Sequence, residues 1–113
     1  GPPVDLHVHG RLDGLPHDVT LALYRIVQEA LRNTWQHASA SDVSITLERT
    51  GSTVSLRVSD NGRGFDRSAP SHSRGLGLAS MEERVRLLGG TFHMESAPGR
   101  GTRLNVAFPL DEP

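Results

Sequence analysis

The chain has 113 residues, a formal net charge of −1 and no cysteine. That excludes disulfide staples, thiolate metal sites and a chain-wide basic surface for nucleic acid or anionic lipid. All twelve basic residues are arginine, so the lysine demanded by a Walker A loop or by a eukaryotic-type protein kinase is missing.

The length suits one domain over residues 1–113, with residues 1–3 read as a linker remnant because Gly1-Pro2 resembles a protease scar. Val4, Leu6 and Val8 alternate with Asp5, His7 and His9, the pattern of a short strand. "RLDGLP" is a loop, and Pro16 is placed to start a helix. From about His17 to His37 the spacing is helical, with Leu23, Ile26, Val27, Ala30, Leu31 and Thr34 as its buried stripe. Val43, Ile45 and Leu47, a turn at "RTGST", then Val54, Leu56 and Val58 predict a hairpin. Residues 61–75 are rich in Gly, Ser and Arg and read as loop. Leu76 to Leu88 is helical again, closed by Gly89-Gly90. "TFHMES", a turn at "APGRG" and "TRLNVAFPL" give two last strands. No apolar run approaches the roughly 20 residues of a membrane span. The order β-α-β-β-α-β-β predicts an α+β two-layer sandwich, with helices on one face of a mixed sheet.

Three stretches carry chemistry. "DNGRGF" follows the alternating run "TVSLRVS". Asn-Gly after a strand signals a hairpin, but no second alternating strand follows. Asp60 therefore stands at the end of a strand. Gly62 and Gly64 permit a flat ligand to approach the backbone, and the carboxylate can accept from an exocyclic amine. Adenine offers that amine where guanine offers a carbonyl, so a purine bound there would be adenine. Gly75 and Gly77, in "RGLGLASMEERVRLLGG", open a helix whose free amides suit phosphate. Neither pair fits the dinucleotide fingerprint G-x-G-x-x-G. In "QEALRNTWQHA", Glu29, Asn33 and His37 fall at i, i+4 and i+8 on one helix face. The plain reading of that face is solvation. The chemical reading is a wall with an amide oxygen for Mg²⁺ (Asn33), an imidazole for phosphate (His37) and a carboxylate to polarise an attacking group (Glu29).

These stretches, in this order, resemble the ATP-binding domain of bacterial sensor histidine kinases, in the GHKL ATPase superfamily with the Bergerat fold. "EALRNTWQHA" is similar to the N box, "DNGRGF" to the G1 box, "GLGL" to the G2 box and "GRGTRLNVAFPL" to the closing strand. "LYRIVQEAL" and "GLGLASMEERVRLLGG" look most like the NarL-type kinases. The resemblance spans about Val4 to Leu110.

It implies that Asp60 binds the adenine amine, that Asn33 ligates Mg²⁺ and that Glu29 is the catalytic group beside the γ-phosphate. It implies ATP contacts from His37, Gly62, Gly64, Arg74, Gly75, Leu76, Gly77, Leu78 and Thr102, with residues 66–74 as the ATP lid. ATP and Mg²⁺ are the implied cofactors. The implied partners are a separate dimerisation domain carrying the phosphoacceptor His and, downstream, a NarL-type response regulator, with no direct nucleic acid. The implied location is cytoplasmic, with any membrane contact made through a parent protein. Since dimerisation in such kinases belongs to other helices, this chain is expected to be monomeric, with weak ATPase activity by itself. A stand-alone anti-sigma serine kinase of the same fold is the alternative. One position departs from the family: Gln36 stands where Lys or Arg usually precedes the N-box His. Weaker ATP binding is expected from that change, with Arg32, Arg63 or Arg74 as candidate replacements.

Overall fold

The computed structural model describes residues 3–34, 42–63 and 75–110. The elements follow as β1 (Val4–His9), α1 (His17–Asn33), β2 (Val43–Thr50), β3 (Thr53–Asp60), α2 (Gly75–Leu87), β4 (Thr91–Ser96) and β5 (Thr102–Pro109). They form one five-stranded sheet in the order β1-β2-β3-β5-β4. β1 runs parallel to β2, and every other neighbouring pair is antiparallel. The expected α+β architecture with a mixed sheet is the one observed.

The alternation of the strands fixes what each face carries. Ile45 pairs with Val58, Val58 with Leu104 and Leu104 with Met94, so one apolar row crosses four strands. Leu56 and Val106 repeat the pattern one step along. These side chains are buried, together with Val19, Ala22, Leu23 and Ile26 of α1 and Val85 of α2. Both helices therefore lie on this face. The apolar stripe of α1 begins a turn earlier than its sequence spacing predicts, at Val19, while Val27, Ala30 and Leu31 are only half-buried. The opposite face carries Thr46, Arg57, Asn105 and His93 in register. Arg57 Nε donates to Asn105 Oδ1 across it at 3.2 Å.

Pro16 does not open the first turn of α1 but precedes it, with φ −57 and ψ 142. Its carbonyl accepts the Thr20 amide at 3.0 Å, which satisfies the first helical bond. At the other end of the helix layer, Gly89 at φ 81 closes α2. The Gly89 amide bonds Arg86 O and the Gly90 amide bonds Val85 O, the reciprocal pair of a Schellman cap. Gly90 then passes so close to Ala107 O and Phe108 that no Cβ would fit.

Candidate nucleotide site

The helix-side alternation of β3 runs Val54, Leu56, Val58 and then Asp60. Asp60 thus takes the last place on the core-facing side of the strand, where a carboxylate would ordinarily be excluded. Its row reads Val43, Asp60, Thr102 and Ser96 across β2, β3, β5 and β4. The apolar face ends here in a polar margin, beneath the C-terminal end of α1.

Two bonds aim the carboxylate. Oδ1 accepts the Gly62 amide at 2.9 Å, an Asx-type turn. Oδ2 accepts the Thr34 hydroxyl at 3.3 Å. Thr34 is buried just beyond α1, and its hydroxyl also lies 3.0 Å from Ala30 O. The single hydroxyl proton is shared between these two acceptors. An ionised carboxylate offers about four lone-pair positions. Two are used by the protein, so acceptor capacity remains for an amine. Asp60 is therefore both a turn residue and an available acceptor.

The surroundings hold Asp60 from the other strands. The amide of Asp42 donates to Asn61 Oδ1 at 2.9 Å, and the amide of Asn61 donates to Asp42 O at 3.3 Å. Asn61 thus extends the β2–β3 contact beyond the strand instead of making a hairpin turn. Gly101, at φ 71, abuts the Asp60 carbonyl so closely that a Cβ would overlap it. Thr102 pairs directly with Asp60, and its Oγ1 lies 3.0 Å from Ser96 Oγ. Ser96 donates onward to Gly101 O at 2.9 Å. The amide of Gly99 bonds Arg63 O at 2.5 Å, so the turn before β5 also grips the segment after Asp60.

Glu29 and Asn33 lie one turn apart on the last two turns of α1, on the approach to Thr34 and Asp60. Glu29 pairs with Arg32 at 3.5 Å, with side chains 15% and 59% exposed. With its Arg32 end exposed and a separation this long, the pair contributes little to stability. Glu29 can therefore exchange partners cheaply. Among the described residues no three His, Cys, Asp or Glu side chains converge on a metal position. Asn33 carries an amide oxygen, the kind of ligand that a hard cation such as Mg²⁺ takes. Gly75, Leu76, Gly77 and Leu78 form the first turn of α2, where backbone amides are free of helical partners. His37, Gly64, Arg74, Gln36 and the lid at 66–74 lie outside the described residues.

The structure thus brings together Asp60, Gly62 and Thr102, and Asn33 ends α1 one residue before Thr34. Sequence reasoning missed Thr34, which it assigned to the buried stripe. It set Gly101 in the closing-strand stretch "GRGTRLNVAFPL" by resemblance and gave it no contact with Asp60. The signal for Thr34 was present in a polar residue ending an apolar stripe four residues beyond Ala30. The signal for Gly101 was not local, since it depends on β5 lying beside β3.

Residues 18–112 match the family described as histidine kinase-, DNA gyrase B- and HSP90-like ATPases. The chain belongs to this ATPase family. The DegS signal transduction histidine-protein kinase/phosphatase of Brevibacillus brevis is 36% identical over 107 residues, covering 95% of this chain and 28% of that protein. The VraS sensor protein of Staphylococcus epidermidis is 37% identical over 98 residues, covering 87% of this chain and 28% of its own length. This ATPase domain therefore spans little more than a quarter of those relatives. Among solved structures, the histidine kinase domain of the blue-light activated histidine kinase EL346 of Erythrobacter litoralis superposes with a TM-score of 0.70 at 23% identity, covering 95% of this chain and 55% of that one. A second structure of that kinase gives 0.67 at 24%. At such identity these two establish the fold alone. Family, relatives and fold agree: the chain is an ATPase-family domain, similar in sequence to one part of two sensor kinases. No helix among the described residues is long and apolar enough to cross a membrane.

Proposed function

We propose that this chain is a single ATPase domain which binds ATP with Mg²⁺ and supplies the γ-phosphate for phosphorylation of a His on a separate dimerisation domain. The observation that carries the reading is Asp60, a carboxylate on the helix side of the sheet margin, aimed by Thr34 and Gly62 with lone pairs to spare. In this reading Asp60 accepts the adenine amine, and Gly62 and Gly64 admit the ring. Thr102, bonded to Ser96, supports the adenine side. Asn33 offers its amide oxygen to Mg²⁺. His37, Arg74 and the amides of Gly75, Leu76, Gly77 and Leu78 meet the phosphates. Bound there, Mg²⁺ would neutralise phosphate charge. Glu29, released from Arg32, polarises the attacking imidazole.

Phosphoryl transfer of this kind relies on positioning and electrostatics. With the acceptor His on another domain, water must take its place here, and hydrolysis by this chain is slow. The likeness to DegS and VraS supports a sensor kinase working in the cytoplasm on a response regulator, which we assign to the NarL type.

Calorimetric titration with ATP and GTP, with and without Mg²⁺, tests the reading. ATP binds and GTP does not, and Mg²⁺ strengthens ATP. Losing a charge-assisted bond of about 1.5–3 kcal/mol, Asp60→Asn weakens ATP by about tenfold to a hundredfold. Equal affinity for ATP and GTP, or an unchanged Asp60→Asn, sinks it.

A further inference from the structure

The two edges of the sheet are finished differently. At β4 the helix-side residue Met94 is buried, and α2 packs over the strand. At β1 every residue is exposed. Val4, Leu6 and Val8 pair with Val43, Ile45 and Leu47, so they share the helix-side face of the sheet. Yet they are 40%, 64% and 49% exposed. An edge strand with an apolar face and no lysine, internal proline or bulge is open to pairing with another strand.

The backbone direction is also defined. The Val43 amide donates to Pro3 O at 3.1 Å. In a parallel pair this alternation continues, so Pro3, Asp5 and His7 turn their backbone groups towards β2. Val4, Leu6 and Val8 turn theirs outward. An incoming strand therefore meets the N–H and C=O of the same three residues whose side chains are uncovered.

We propose that the occupant is a second copy of this chain, pairing β1 with β1 antiparallel about a twofold axis through Leu6. The sequence of the strand, V-D-L-H-V, reads nearly the same in both directions. With Leu6 opposite the partner's Leu6, Val4 faces the partner's Val8, and Val8 faces the partner's Val4. All six apolar side chains then meet on one face. These are the outward-directed residues, so their backbone groups exchange hydrogen bonds. On the other face Asp5 stands opposite the partner's His7 twice, a carboxylate accepting from an imidazole.

Neighbouring registers do worse. A shift one way puts Asp5 against the partner's Asp5. A shift the other way puts His7 against the partner's His7 and leaves Val4 without a mate. Registers offset by a single residue set apolar against polar side chains and misalign the backbone groups. The product is a ten-stranded sheet with a nucleotide site on each half. This differs from the monomer expected from the family resemblance, and it does not depend on the nucleotide reading.

The absence of native cysteine makes the register measurable. Asp5→Cys and His7→Cys chains are prepared separately, mixed and oxidised. In the proposed register these two positions form a non-hydrogen-bonded pair with Cα atoms about 4.5 Å apart, within the range a disulfide spans. The mixed disulfide should exceed both homodimers. Dominance of either homodimer refutes the register. Sedimentation equilibrium of the unmodified chain should show a mass that rises from monomer towards dimer between micromolar and millimolar concentration. Leu6→Arg places two like charges face to face across the axis and should weaken association by about tenfold or more. Its ATP affinity and circular dichroism should be unchanged, which shows that it has folded. A concentration-independent monomer, or an undiminished dimer in Leu6→Arg, overturns the proposal. So does slow hydrogen exchange at the Val4, Leu6 and Val8 amides that ignores concentration, because another part of the same chain would then cover the edge.

Discussion

Replacing Gly101 by alanine tests whether the β3–β5 contact builds the site, and Gly99 supplies the control. Both glycines have positive φ, 71 for Gly101 and 79 for Gly99. An L-residue in that region costs about 1–2 kcal/mol, and the two substitutions share this cost. They differ in their surroundings. A Cβ at Gly99 meets nothing within 4 Å. A Cβ at Gly101 overlaps Asp60 O and comes within 3.2 Å of Asn61 Cα. Backbone atoms cannot rotate aside as a side chain can, so relief requires β5 to draw away from β3. Overpacking of this kind costs about 1–3 kcal/mol. Gly101→Ala should therefore lose about 2–5 kcal/mol and Gly99→Ala about 1–2.

Urea unfolding measures both, with a lower midpoint and an unchanged slope. In the same preparations, ATP affinity should fall for Gly101→Ala and hold for Gly99→Ala, because the displaced row is the one that contains Asp60 and Thr102. Equal losses of stability in the two variants refute the contact argument. A destabilised Gly101→Ala that still binds ATP as the wild type does refutes the link between this contact and the site.

Thr34→Val removes the hydroxyl that holds Asp60 Oδ2 while keeping the shape, and should weaken ATP about fivefold to tenfold. Thr34→Ser restores the hydroxyl and should recover most of the loss, as read by calorimetry. Phe108, which has no exposed surface, fills the space between β5 and the end of α2. Phe108→Ala should cost about 3–5 kcal/mol of stability in urea, without the purine preference changing.

The order of elements was legible in the sequence because period-two and period-3.6 patterns scarcely overlap in this chain. α2 falls within a residue of its expected bounds and α1 begins where expected, its expected end near His37 lying outside the described residues. The placement of Asp60 at the end of β3, with Gly62 in the turn beyond it, was also legible, since no returning strand follows "DNGRGF". Thr34 was not, because a threonine ending an apolar stripe looks the same whether its hydroxyl meets its own helix or a distant carboxylate. Here it meets both. Gly101 was hidden for a related reason. Its closeness to Asp60 follows from β5 sitting between β3 and β4, an arrangement that local pattern does not encode. The exposure of β1 was hidden as well. Alternation predicts which face of a strand is apolar, but it does not say whether a helix reaches far enough to cover it.

The strand order also sets when the site can exist. β3 sits at the middle of the sheet, but its neighbour β5 is the last of the five described strands, and Asp60 faces Thr102 across that pairing. A nascent chain can close the β2–β3 hairpin early, because that contact is local. It cannot confine Asp60 until β5 has emerged and crossed back over everything made since. Pairings of such sequence separation form slowly. On the proposed reading of the site, the ability to hold nucleotide therefore arrives only when β5 pairs with β3, and a chain truncated before β5 has no partial version of it.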